Sequence, residues 1–200
     1  MSRLERALRN IASQLELLRH SWALVGGLAV SARVEPRFTR DIDLALAVSD
    51  DAMAEALVHR LVGLGYGILA SLEQEQVGRL ATVRLEAPAE GPAGVVVDLL
   101  FASSGAEGEV VRGADVLEVL PGLRVPVARR GHLLALKLLS ERPERPQDLV
   151  DIVALLRDAT PADLEDTRQM AALISQRGYA RGRDLPSSLE QHLRGRAERP

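Results

Sequence analysis

GGLAVSARVEPRFTRDIDLALAV, residues 26–48, is the stretch from which the rest of the chain can be read. A glycine pair is followed, after a spacer of thirteen residues, by two aspartates separated by one residue. Asp41 and Asp43 fall in a run with strand character, Asp41–Val48. Side chains alternate faces along a strand, so the two carboxylates point the same way, about 6.5 Å apart along the chain. Two carboxylates with no base between them repel each other unless a cation intervenes. Oxygen-only ligands of this kind suit Mg²⁺, which keeps several waters and is completed by substrate phosphates. Gly26 and Gly27 let the backbone come close to a phosphate group. The segment therefore implies a site for a nucleotide and a metal.

Upstream of this segment, Leu4, Leu8, Ile11, Leu15 and Leu18 step by four and three, which predicts an amphipathic helix. Trp22–Val25 reads as a short buried strand running into the glycines, and Leu28 to about Val34 as a helix that ends before Pro36. Downstream, a helix is expected from about Asp50 to Leu64, with acidic residues at its start. Strands follow at Ile68–Leu72, Arg79–Glu86 and, after a loop rich in Pro, Gly and Ala (Ala87–Gly94), Val95–Phe101. Val116–Leu120 and Leu123–Val127 form a hairpin around Pro121-Gly122. From His132 the pattern is helical: His132–Glu141, Pro146–Arg157 and Pro161–Gln176. The expected fold class is α+β: a mixed sheet flanked by helices over residues 1–127, with a helical C-terminal portion, 128–200, packed on it.

Composition narrows the functional classes. Two hundred residues, 46% hydrophobic and 26% charged, describe an ordinary globular chain with enough length for a core. Without cysteine there are neither disulfides nor thiolate metal sites. The charged stretch MSRLERALRNIASQLELL reads neither as a signal peptide nor as a membrane span, so a cytoplasmic protein is expected. A net charge of −3 and 2% aromatics argue against a base-stacking single-strand binder. Basic charge is uneven, however: from Arg177 onward six arginines face three acids. That tail reads first as a solvated, fraying end and second as an arm that contacts RNA.

Other positions could carry chemistry. Asp98 stands in GVVVDLLFA, an otherwise apolar strand, where a carboxylate is costly unless paired or metal-bound. Alone, it would be a core aspartate satisfied by an arginine or by backbone donors; beside Asp41 and Asp43 it reads as a third member of one acidic cluster. On the first acidic strand, Asp41, Asp43, Ala45 and Ala47 share a face that leaves room for a ligand or for a closely packed helix. Lys137 is the only lysine among 25 Lys and Arg residues and lies in an apolar helix, where a compact ammonium suits a phosphate or a group of acids. Asp148, two residues after Pro146, is explained equally by helix-start stabilisation and by a site role. Arg37, Thr39 and Arg40 flank the acidic pair as a polar turn or as phosphate contacts. The four histidines are scattered, and no hydrolase arrangement is evident.

In order and spacing, the glycine pair, Asp-x-Asp and the later strand aspartate resemble the nucleotidyltransferase superfamily of polymerase-beta-like fold. RFTRDIDL, VVDLLF and KLLSERPERPQDLVDI resemble more narrowly its AbiEii/AbiGii-type toxin branch, over most of residues 20–157. Two positions depart from the pattern. Gly27 stands where many members have serine, and Gln147 where the branch often has lysine. The resemblance implies a transferase that moves a nucleotidyl group from a nucleoside triphosphate to an acceptor. Asp41, Asp43 and Asp98 would hold two Mg²⁺ ions, Gly26, Gly27, Arg37, Thr39, Arg40 and Asp148 would contact the nucleotide, and Lys137 would neutralise phosphate charge. The implied acceptor is RNA, such as a tRNA end, or a protein, with an antitoxin as a further partner and no membrane. A small-molecule transferase of the antibiotic-modifying kind and a nucleotide-binding module without turnover stay open beside it.

Overall fold

The structure, a computed structural model, describes residues 1–75, 77–88 and 94–197. The middle of the expected Pro-, Gly- and Ala-rich loop, 89–93, and the last three residues of the arginine-rich tail, 198–200, lie outside the described residues. Within them the elements are α1 (Arg3–Leu17), β1 (Trp22–Val25), α2 (Gly26–Arg33), β2 (Ile42–Leu46), α3 (Asp51–Gly63), β3 (Gly67–Gln74), β4 (Arg79–Glu86) and β5 (Val96–Leu100). Then come α4 (Glu107–Arg112), β6 (Asp115–Leu120), β7 (Leu123–Val127), α5 (Arg130–Ser140), α6 (Pro146–Arg157), α7 (Pro161–Gln176) and α8 (Leu185–Ala197).

Local chemistry starts and orients these helices. Ser2 caps α1 by accepting the Glu5 N–H, and the Leu8, Ile11 and Leu15 stripe is buried as its spacing predicts. Asp50 caps α3 through the Met53 N–H, 2.9 Å away. Thr160 and Asp163 form a reciprocal capping box on α7, with Pro161 in its first turn.

The seven strands form one mixed sheet in the order β3-β4-β5-β2-β1-β7-β6. β2 runs antiparallel to β1 and parallel to β5, and β1 runs parallel to β7. The three central strands are short and largely buried, with Leu24, Ile42, Leu44, Leu46 and Leu99 inaccessible. The expected boundary after residue 127 coincides with the end of β7. One hydrophobic core continues across it, from Val127 and Ala128 into Leu133, Leu138, Ile152, Ile174 and Leu189. No helix among the described residues is long and apolar enough to cross a membrane.

Four elements differ from expectation. Helix α2 begins at Gly26 itself rather than at Leu28, because β1 turns directly into it. Asp41 lies just outside β2, whose pairing begins at Ile42. Helix α4 was not expected; its six residues are too few for periodicity to show, and it starts where buried Glu107 accepts from the Ser104 N–H and hydroxyl. The tail is packed rather than frayed over 179–193: Leu185 and Leu189 are fully buried and Asp184 accepts from Ser187 at the start of α8. Leucines at 185, 189 and 193 give it an apolar stripe that the density of arginine obscures.

Candidate active site

The parallel pairing of β2 with β5 aligns Asp43 with Asp98 as direct neighbours. Asp41, on the approach to β2, opens into the same cleft, a cavity of about 570 Å³. Gly26, Gly27, Arg37, Thr39, Lys137 and Asp148 line it too. Of the residues singled out in the sequence, only Arg40 lies elsewhere: its exposed guanidinium stacks over the Phe38 ring, 5.5 Å from the centroid.

Gly26 adopts a left-handed backbone (φ 62°), and a Cβ there would fall 1.9 Å from the Asp43 Oδ2. Only glycine permits this contact between the start of α2 and the carboxylate. The Gly27 N–H donates to Asp43. A Cβ on Gly27 would meet the Arg37 Nη2 at 2.7 Å and the Thr39 hydroxyl at 2.8 Å. The hydroxyl that a serine at 27 would bring is thus replaced in space by that of Thr39.

The two sides of the cleft differ in charge balance. On the sheet side, burial and the neighbouring Asp98 push the Asp43 carboxyl up to about 6, although Lys137 pulls the other way. Asp98, 7% exposed, is gripped by Arg84 of β4 through two parallel bonds, Nε to Oδ1 at 2.8 Å and Nη2 to Oδ2 at 2.7 Å. On the helical side, the Lys137 Nζ lies 2.7 Å from Asp148 Oδ1 and 2.8 Å from Asp151 Oδ2. Asp151, 1% exposed, also accepts from Arg37 Nη2 at 2.7 Å and from Gln147 at 3.2 Å. Burial raises the Asp151 pKa, but the bonds from Arg37 and Lys137 outweigh it and hold the carboxyl below its ordinary range.

Two residues of this site, Arg84 and Arg181, escape sequence reasoning as site members, and Asp151 stands in the ERPQDLVDI segment that carries the resemblance without a role of its own. Arg84 was detectable as a polar position between the buried Val83 and Leu85 of β4, but its partner follows only from the pairing of β4 with β5. Asp151 is one turn beyond Asp148, on the same helical face.

A divalent cation is chemically compatible with the sheet side. A positive charge between Asp43 and Asp98 would relieve the repulsion that raises the Asp43 pKa, and Mg²⁺ needs only one or two protein carboxylates besides phosphate. As they stand, no three carboxylates or imidazoles among the described residues converge as a ready metal site, and both Asp98 oxygens face Arg84. Asp43, with Asp41, is the anchor that fits; Asp98 joins it only after parting from Arg84.

Comparison with known proteins bears on the family and on the fold. A family model described as the nucleotidyl transferase AbiEii toxin of type IV toxin–antitoxin systems matches residues 6–199. No curated protein matches the chain. Among solved structures, an antigenic nucleotidyltransferase-like protein from Paracoccidioides brasiliensis superposes with a TM-score of 0.55 at 20% identity, over 94% of this chain and 91% of that one. The antibiotic-resistance factor ANT(2'')-Ia superposes with a TM-score of 0.57 at 16% identity, over 95% and 96%. The same factor in complex with adenylyl-2''-tobramycin superposes at 0.56 and 14% identity, over 86% and 98%. At these identities the likeness is one of fold.

Proposed function

The chain belongs to the AbiEii family of nucleotidyltransferase toxins, and from that premise we propose that it moves a nucleoside monophosphate from a nucleoside triphosphate to a hydroxyl of an RNA, such as a tRNA end, or of a protein. The observation that carries this reading is the juxtaposition of Asp43 and Asp98 on paired strands, beside the Gly26–Gly27 turn and across the cleft from Lys137 and Arg37. The Gly26–Gly27 turn and Thr39 receive the phosphates, and Lys137 and Arg37, held by Asp151, offset their charge. Arg40 stays outside the cleft and acts at its rim.

The acceptor oxygen attacks the α-phosphorus, the bond from that phosphorus to the oxygen bridging to the β-phosphate breaks, and pyrophosphate leaves. The acceptor's proton passes to Asp98, which first exchanges its bonds to Arg84 for the acceptor. Asp41, Asp43 and Asp98 would hold two Mg²⁺ ions, which would supply Lewis-acid stabilisation of the charge on the phosphates. The reading places the protein in the cytoplasm, with an antitoxin as its counterpart.

A transfer assay tests it: protein, Mg²⁺, each α-labelled ribonucleoside triphosphate and total cellular RNA, with Asp43→Ala as control. Label on RNA that disappears in the mutant is the expected result. Full activity of Asp43→Ala would sink the assignment. A small-molecule acceptor is the second reading, favoured by the fold shared with the factor seen with adenylyl-2''-tobramycin; drug resistance without labelled RNA would select it. Nucleotide binding without pyrophosphate release would select a module without turnover, in which the Arg84–Asp98 pair stays closed.

A further inference from the structure

The packed tail brings an arginine to the catalytic cleft. Arg181 lines the cavity, and its backbone is left-handed (φ 55°), an unusual state for a residue with a side chain. Its Nη2 donates to the Ser103 carbonyl at 2.8 Å and to the Ser103 hydroxyl at 3.1 Å, just beyond the end of β5, which carries Asp98. Two residues on, Arg183 donates to the backbone carbonyl of Glu141 at the end of α5. The tail is thereby strapped across the turn between α5 and α6, which carries Arg142 and Arg145. Arg145 also lines the cavity.

These charges are under-compensated. Glu141 is shared between Arg183, at 3.7 Å, and His192, at 3.0 Å. Arg145 reaches Asp148 only at 4.0 Å, and Asp148 is already bonded to Lys137. Glu144 lines the cavity beside them. Among the described residues, neither Arg142 nor Arg181 has a carboxylate within ion-pair distance. Partial burial and the neighbouring Arg142 lower the Arg181 pKa against the opposing pull of Glu107, and Arg145 and Arg183 add to the repulsion, in a chain whose net charge is −3. Arginine's planar fork matches phosphate oxygens, and among the described residues that line the cavity there is no aromatic side chain to stack on a base.

We propose that Arg142, Arg145, Arg181 and Arg183 form a phosphodiester-binding site that seats a nucleic-acid acceptor on the catalytic cleft. The inference rests on the transferase reading for what happens next, but binding itself is measurable apart from transfer. A site made of guanidinium groups holds the acceptor's backbone and is tolerant of its sequence.

The test is binding of labelled total tRNA to the full chain by fluorescence anisotropy, between about 50 and 200 mM salt. It is compared between wild type and Arg142→Gln/Arg145→Gln, with Mg-nucleotide binding and thermal melting followed in parallel. The expected result is at least about tenfold weaker tRNA binding with a salt slope shallower by about two, while nucleotide affinity and melting temperature hold. Arg181→Lys, which keeps the charge but loses the fork, is expected to weaken tRNA binding by a smaller factor.

Equal affinity and slope in wild type and double mutant would overturn the proposal. So would a wild type that labels a drug or a protein yet does not bind tRNA, an outcome that leaves the transferase reading standing. Arginine-dependent tRNA binding with no transfer to any acceptor would do the reverse, upholding the site and sinking the transferase reading.

Discussion

The two walls of the cleft hold comparable acids in opposite states. On the sheet wall Asp43 and Asp98 are direct neighbours, and Asp43 is raised to about 6 by burial and by that neighbour. On the helical wall Asp151 is buried as well, yet it is held low because Arg37 and Lys137 donate to it. Burial therefore does not by itself decide protonation; the balance of partners does. On the sheet wall Arg84 is bonded to Asp98 alone and, among the described residues, no cation is bonded to Asp43, whereas the acids of the helical wall are neutralised by the cations bonded to them.

The comparison can be broken most severely at Asp43. Asp43→Ala is expected to reduce transfer at least about a thousandfold, near 4 kcal/mol in barrier, with the fold intact. The label-transfer assay and a melting curve check both halves of that statement.

The helical wall should fail in stability as well as activity. Asp151→Asn leaves Arg37 and Lys137 without their shared carboxylate and is expected to cost about 3 kcal/mol, as breaking a buried pair does. Urea unfolding at neutral pH measures it. Because the folded pKa of Asp151 is depressed, its contribution is present above the ordinary carboxylate range and is lost as pH falls through the folded value. The mutant's deficit should therefore shrink in acid.

Asp43 predicts the opposite sign. Its folded pKa is raised, so the folded state binds the proton more tightly than the unfolded chain, and stability declines as pH rises from about 4 to about 6. Asp43→Asn is expected to melt higher than wild type at pH 7–8 in chelator, by on the order of 5 °C, and to lose that advantage near pH 4. A melting difference that does not change with pH would contradict the electrostatic contrast between the walls.

The smallest effect should come from Arg40, which stacks on Phe38 outside the cleft. Arg40→Ala is expected to change the nucleotide KM by less than about threefold, as an exposed cation–π contact allows. A loss like that of Arg37→Ala would place Arg40 in the nucleotide site after all.

How much of this could be read beforehand varied with the range of the interaction. The helix stripes, the acidic start of α3 at Asp50 and the hairpin at Pro121-Gly122 rest on local spacing, and the fold shows them close to where they were expected. The Asp-x-Asp of residues 41 and 43 and the lone strand aspartate at 98 stand out in the same way, because an isolated carboxylate among apolar residues is conspicuous. Helix α4 was too short to show a period, and the stripe of α8 was masked by arginine.

What the sequence determined by itself is the set of carboxylates, the glycine turn that can approach them and the residues able to form each element, since these depend on side-chain type and on periods of two or 3.6 residues. Only the tertiary structure decided the partners. Strand pairing set Arg84 upon Asp98, α5 and α2 delivered Lys137 and the Arg37 turn to Asp151, and the packing of Leu185 and Leu189 carried Arg181 to the cleft. Each of these contacts joins residues distant in sequence or brought together across strands. They exist because burying the apolar faces leaves few arrangements, and the polar residues meet wherever that packing puts them.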